Sequence, residues 1–361
     1  MLFLKAVEIE LRPFGALGGT EHSSIMKSFL TILVGVIRVS LATILLLVVI
    51  VTALNLVMFD GNPLMARIIP LQNPGGSHQT LARFREADQS DPVDVVFLGS
   101  SHAYRGFDPR RFEAIGLKSC NLGSSSQTPL NTLTVLERQI KHLQPRLVIY
   151  ALHQSALSID GMESFYDLLA NTPLDYSMVK MAWRTQQPQA WPALISTAVR
   201  NIRFPFEEAK QLPSVLRSET YLKGGYIECK QEFPAERFDR LNKYRYGQWS
   251  YGLSNVQLGY FQECIQMIKD SGANLVVCSY PIPKETRGII ADYEVNQKKI
   301  ASLLAGIGVH FVDFNETMTL DTRTHYFDEL HLNQVGVEKF NESLITWLKN
   351  KNLIFIQPNK I

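Results

Sequence analysis

Asp94-Val95-Val96-Phe97-Leu98-Gly99-Ser100-Ser101-His102-Ala103-Tyr104-Arg105-Gly106-Phe107-Asp108-Pro109 is the most informative segment of this 361-residue chain. Four consecutive apolar residues, 95–98, stop at a glycine and two serines. A short apolar run without alternation, closed by turn residues, fits a strand buried on both faces of a parallel sheet. The Gly-Ser-Ser then falls at the C-terminal end of that strand, where open α/β sheets place their ligands. Gly99 allows a sharp turn, and Ser100 or Ser101 would present a hydroxyl above the sheet edge. Asp108-Pro109 has the form of a helix cap followed by a first-turn proline.

Further strands and helices alternate outward from this point. Residues 118–123 form a second, shorter strand ending at Gly123, and residues 146–152 (Arg-Leu-Val-Ile-Tyr-Ala-Leu) a third. Between them, Leu130, Leu133, Leu136, Ile140 and Leu143 share one helical face, with Pro129 in the favoured first turn. A helix near residues 258–271 precedes a fourth strand at 274–280. A fifth strand follows at 309–314, and an amphipathic helix at 335–349 closes the chain. Strands alternating with helices predict an α/β fold, a parallel sheet covered on both faces.

N-terminal to this region the chain has a different character. Residues 39–58 carry no charge and are long enough to cross a bilayer of about 30 Å as one helix. No small-residue cleavage pattern follows, which favours an uncleaved anchor over a removed signal peptide. Lys27 and Arg38 precede the apolar core and Asp60 follows it, so the positive-inside rule puts the N-terminus in the cytoplasm and the bulk of the chain outside. The expected organisation is a cytoplasmic segment at 1–27, with Met1 or Met26 as the start, and a transmembrane helix at 28–59. A Pro- and Gly-bearing linker at 60–92 and a globular domain at 93–361 would follow. Residues 155–255 interrupt the alternation with Trp, Tyr, Arg, Gln and several prolines. They form an insertion that either builds a lid over a cleft or merely decorates the fold.

A net charge of +2 with no dense basic stripe gives no nucleic-acid footprint. Cys120, Cys229, Cys264 and Cys278 include no C-x-x-C pair. They suit small core residues, with a Cys264–Cys278 disulfide as the alternative.

The topology gathers Ser100 and Ser101, then Gly123-Ser124-Ser125-Ser126-Gln127, then His153-Gln154-Ser155 at one crevice. The turn carrying Asp328-Glu329-Leu330-His331 lies between the fifth strand and the last helix and can reach the same edge. A serine hydroxyl is a weak nucleophile until a neutral imidazole takes its proton. That imidazole needs an anion to fix its tautomer, and Asp328 and His331 supply both parts locally. Backbone amides of Ser101 and Gly123 are the natural donors to an oxyanion. His102 and Arg105 are candidates for substrate contact, Arg105 as the partner of an anionic group. His325, Asp328 and His331 have metal-like composition but offer no fourth ligand, so no metal is expected.

Taken together, Gly99-Ser100-Ser101, Asn121-Leu122-Gly123 and Asp328-x-x-His331 resemble the first, second and fifth blocks of the SGNH/GDSL hydrolases. The resemblance covers roughly residues 94–155 and 274–348, leaving the insertion out. It implies a three-layer α/β/α, flavodoxin-like parallel sheet, Ser101 as nucleophile, His331 as base, Asp328 as its partner and Gly123 as an oxyanion donor. The family's Gly-x-Asn-Asp block is absent, so Gln154 or His153 would replace its asparagine donor. With an N-terminal anchor and Gly-Ser-Ser in place of Gly-Asp-Ser, the chain is most similar to membrane-tethered SGNH-like proteins. These include the D-alanyl-lipoteichoic acid transfer protein and the alginate or peptidoglycan O-acetylation proteins. That resemblance implies acyl transfer or ester hydrolysis on a cell-envelope glycan or related polymer, no cofactor, and a membrane-bound O-acyltransferase as partner. The alternatives it leaves are a stand-alone ester hydrolase and a non-catalytic scaffold or glycan-binding subunit.

Overall fold

The computed structural model describes residues 19–354 apart from 61, 214–217, 242 and 244–246. Most of the expected 1–27 segment, including Met1, therefore lies outside the described residues, as do parts of the insertion.

Helix α1 (Gly19–Leu56) is followed by a two-residue hairpin pairing Met58–Phe59 with Asn62–Pro63, and then by helix α2 (Thr80–Asp88). The globular part is built on strands β1 (Val95–Gly99), β2 (Ser119–Asn121), β3 (Leu147–Ala151), β4 (Asn274–Ser279) and β5 (His310–Asp313). They form one parallel sheet in the order β2-β1-β3-β4-β5. The helices that matter for the site and for the surroundings of α1 are α3 (Ser101–Gly106), α4 (Pro129–Leu143), α5 (Tyr176–Thr185), α6 (Ala190–Arg203), α7 (Asn255–Asp270), α8 (Tyr293–Gly306) and α9 (Gln334–Asn350).

Side-chain alternation divides the sheet into two cores. Val96, Leu98, Val148, Tyr150 and Val277 face α4, α7 and α8, meeting Leu133, Leu136, Phe261, Ile265 and Ile300. Val95, Phe97, Ile149, Val276 and Cys278 face the other way, toward Phe107, Phe112, Phe314, Phe340 and Leu344. Helices thus cover both faces, which gives the expected three-layer α/β/α architecture and explains why every β1 and β3 residue is buried. All four cysteines are buried and unpaired, so Cys264 and Cys278 form no disulfide.

From β1 the chain steps to β2 on one side, and from β2 it crosses back to β3 on the other. The crevice between β1 and β3 is therefore the switch point at which such sheets bind ligands. Gly99 makes the exit from β1 possible: its φ is +137°, and an added Cβ would lie 2.5 Å from the Ala151 carbonyl oxygen.

Two expected boundaries need correction. The N-terminal helix stops at Leu56, because Met58–Phe59 pairs antiparallel with Asn62–Pro63. Residues 60–92 are more than a linker. Within α2, Leu81, Phe84 and Ala87 pack into the core, and Arg83 is fully buried. The Arg83 guanidinium donates to the carbonyl oxygens of His78 (2.6 Å), Gly123 (2.8 Å) and Gly225 (3.1 Å) and lies 4.1 Å from the Tyr104 ring centroid. The prolines and glycines before α2 concealed a helix whose most consequential residue is charged.

Arg83→Ala would strand those carbonyls, each unmet buried acceptor costing about 1–3 kcal/mol. Thermal unfolding of the detergent-solubilised chain is expected to show a loss of about 3 kcal/mol or more. A variant melting with the wild type would return residues 80–88 to the status of linker.

Candidate active site

Ser101 opens α3 immediately beyond β1, with Ser100 at the N-cap position. Its amide occupies a helix-start position and needs no intrahelical acceptor. Its hydroxyl lies 2.7 Å from His331 Nε2.

His331 comes from a tight turn before α9. Tyr326 and Leu332 pair across it, the Phe327 amide donates to the His331 carbonyl at 3.0 Å, and the Leu332 amide donates to Tyr280 Oη at 2.9 Å. Asn333 caps α9 by accepting from the Gly336 amide at 3.1 Å. Inside the turn, Asp328 Oδ1 accepts from the amides of Leu330 and His331, each at 2.8 Å, and both carboxylate oxygens lie 2.9 Å from His331 Nδ1. Burial alone would raise the Asp328 carboxyl; the His331 charge and imidazole bond, with the two amides, hold it well below the usual carboxylate range. Asp328 is thus an anion and only accepts. The imidazole proton therefore sits on Nδ1, leaving Nε2 with a lone pair directed at the Ser101 hydroxyl. Phe327 stacks on the imidazole at 5.5 Å and 14°, fixing its plane.

Three imidazoles cluster here. The His102 ring is 5.3 Å from that of His331, 5.0 Å from that of His153 and 4.8 Å from that of Tyr280. His102 was expected to contact substrate, but it is buried, and its Nε2–H donates to the Leu330 carbonyl at 3.2 Å. It braces the turn from behind, and burial together with the other two imidazoles pushes it well below the ordinary histidine value.

His153 is one of the two residues expected to replace the missing asparagine donor. Its Nδ1 accepts from the Ser155 amide at 3.3 Å and lies 2.7 Å from Ser155 Oγ. The proton consequently belongs on Nε2, a buried donor with no partner among the described residues. Burial, then the His331 charge, brings His153 down to about 4, so it is a neutral imidazole at physiological pH.

Gln154, expected to replace the missing asparagine donor, is turned away. Its Nε2 donates to the Tyr293 carbonyl at 2.8 Å and its Oε1 accepts from Asn296 at 3.4 Å, tying the loop to α8. Gly123 reaches the crevice, but its amide donates to Asn121 Oδ1 at 3.1 Å, so an oxyanion would have to displace that bond. This glycine is closely packed: a Cβ would come within 2.8 Å of the Ser100 carbonyl oxygen. Arg105 is also corrected. It is buried and paired with Glu219 at 2.5 Å, between the rings of Tyr104 and Phe327, so its charge is already answered. Glu219 belongs to the insertion, which is why the sequence near Arg105 gave no hint of its partner. No group of His, Cys, Asp and Glu among the described residues could hold a metal ion, and His325 is turned to the Asp321 backbone.

No protein-family model matches the chain, and no curated protein matches it in sequence. Among solved structures, a GDSL-like lipase from Bacteroides thetaiotaomicron VPI-5482 is 13% identical over 76% of this chain and 98% of that one, with a TM-score of 0.39. The lipase/acylhydrolase from Enterococcus faecalis is 14% identical over 74% of this chain and 100% of that one, with a TM-score of 0.38. A two-domain esterase active on acetylated mannans is 9% identical over 80% of this chain and 57% of that one, with a TM-score of 0.33. At these values the likeness bears on neither activity nor substrate.

The His153 environment has a consequence for stability. Unfolded, this imidazole takes a proton below its ordinary value of 6.5, whereas folded it does so only near 4. The unfolded chain therefore binds more protons across that window, and stability falls as pH drops through it. In His153→Gln, urea unfolding at stepped pH is expected to show a slope flatter by about 1 kcal/mol per pH unit. An unchanged slope would mean that the ring titrates freely in the folded chain.

Proposed function

We propose that this chain is a membrane-anchored, SGNH/GDSL-type serine acyl-transfer enzyme, taking an O-acyl group, acetyl by preference, to or from a cell-envelope glycan or related polymer. The observation that carries this reading is the unbroken line from Ser101 Oγ through the His331 imidazole to the Asp328 carboxylate. α1 would place the N-terminus in the cytoplasm and the site outside. A membrane-bound O-acyltransferase is the proposed partner that supplies acyl groups.

In this mechanism His331 Nε2 takes the Ser101 proton as Oγ attacks the acyl carbonyl carbon. The oxyanion that forms faces two donors in our reading, the Ser101 amide and the Nε2–H of His153. A neutral imidazole suits this role because it donates without carrying a competing charge into a buried site. Collapse expels the first alcohol, which leaves with the proton from His331, and the acyl group stays as an ester on Ser101. His331 then deprotonates the second acceptor. Water completes hydrolysis; a glycan hydroxyl completes transfer. No cofactor is needed at any step.

Aryl acetate turnover tests the serine chemistry. Ser101→Ala and His331→Ala are expected to lower kcat by several orders of magnitude, and Asp328→Asn by about 10⁴-fold. Losing one oxyanion donor in His153→Leu should cost about 10²–10³-fold in kcat. Product analysis with an oligosaccharide acceptor separates transfer from hydrolysis. Undiminished envelope acylation in cells carrying Ser101→Ala or His331→Ala would overturn the enzyme reading in favour of a scaffold.

A further inference from the structure

α1 contains an apolar stretch, Met26–Leu56, of 31 residues, the only described helix long and apolar enough to cross a membrane. At 1.5 Å per residue such a helix is about 46 Å long, well beyond a hydrocarbon core of about 30 Å. Its outer end is not free. Val51 is buried, and Asn55 Nδ2 donates to Ser196 Oγ of α6 at 2.8 Å. The insertion is therefore clamped to the anchor at residues 51–55. If the span begins after Arg38, these residues lie within the outer leaflet. If it begins after Lys27, they lie about 5–12 Å beyond the hydrocarbon, from the headgroup layer to just above it. In both cases α6 stands at the membrane boundary.

The surface around α6 is aromatic and bare. On α5, Tyr176, Val179 and Trp183 share one face, with Tyr176 and Trp183 79% and 74% exposed. Trp183 meets Trp191 of α6 edge to face at 6.2 Å, which joins the two helices into one patch. At the other end of α6, Ile202 is 86% exposed and Phe204 is 62% exposed, with the Arg203 guanidinium 5.3 Å from the Phe204 ring centroid. Tryptophan and tyrosine with flanking arginine is the composition that settles at the headgroup level of a bilayer. Large apolar side chains exposed in groups at both ends of one helix mark an interaction surface.

We propose that the α5–α6 hairpin is an interfacial membrane-docking surface, seated in the outer headgroup and acyl-chain boundary of the bilayer that α1 spans. The lipid surface, rather than a soluble protein, is the fitting occupant because the patch lies on and beside the helix that is hydrogen-bonded to the outer end of α1. Docking at two points would fix the tilt of the domain. The active-site crevice would then stand at one height and angle over the membrane. This rests on α1 being a span and is independent of the acyl-transfer reading.

The full chain reconstituted in nanodiscs of dioleoylphosphatidylcholine, or of its dibrominated form, gives a direct test by tryptophan emission. Brominated lipid is expected to quench the wild type, and most of that loss should vanish in Trp183→Phe/Trp191→Phe, leaving Trp249 and Trp347 unquenched. Trp183 is mostly exposed, Trp191 is on the surface, and phenylalanine keeps an aromatic ring at both positions, so the double substitution should leave the fold intact. Equal quenching in wild type and variant, or none in either, would overturn the proposal. So would emission that responds only to a co-reconstituted integral membrane protein, which would assign the patch to a protein partner. Alkaline extraction separates the two premises. A chain that stays with the membrane but is not quenched keeps its anchor and loses the docking surface, whereas a chain that is released loses both.

Discussion

The site depends on the Asp328 carboxylate. It takes two backbone amides of its own turn and the Nδ1–H of His331, so one anion folds the turn, orients the imidazole and sets its tautomer. A buried carboxylate with those partners remains charged at the expense of protonation, and its charge is what makes an imidazolium tolerable beside Ser101. The surroundings serve that arrangement. Phe327 fixes the ring plane, Tyr280 holds the Leu332 amide, and His102 holds the Leu330 carbonyl. The turn is thus secured from the front, the side and the rear before any substrate arrives.

The other half of the site is a matter of sheet topology. Ser101 and His331 lie 230 positions apart, yet meet at 2.7 Å because β1 ends at the switch point and the chain returns over it before α9. Gly99 and Gly123 allow the backbones to close there, since side chains would strike the carbonyls of Ala151 and Ser100. The insertion contributes from a distance: Glu219 answers Arg105, and the Gly225 carbonyl is held by Arg83.

Much of this was legible in the sequence, for a physical reason. Strands of a covered parallel sheet must be apolar on both faces, so the central strands β1, β3 and β4 stand out as apolar runs bounded by turn residues, whereas the edge strands β2 (Ser-Cys-Asn) and β5 (His-Phe-Val-Asp) are shorter and more polar. The Asp328-x-x-His331 spacing is short enough for local geometry to unite the pair. What escaped was decided by partners remote in sequence. Gln154 and His153 are adjacent, and nothing near them reveals that α8 claims the amide while the imidazole Nε2 is left without a partner among the described residues. Arg105 looked available because Glu219 lies more than a hundred residues away. The segment at 60–92 looked like a linker because its turn residues outnumber its apolar ones. Its helix is held by an arginine reaching three separate carbonyls, a pattern with no periodicity to detect.

The central claim is that Ser101 carries the acyl group between donor and acceptor. The most direct measurement is mass spectrometry of the chain quenched in acid during turnover of an aryl acetate, followed by peptide mapping. An acetyl ester on the peptide bearing Ser101, absent when His331 is replaced, is the expected result. Turnover with no acetyl on any serine, or acetyl on a residue away from the crevice, would contradict it.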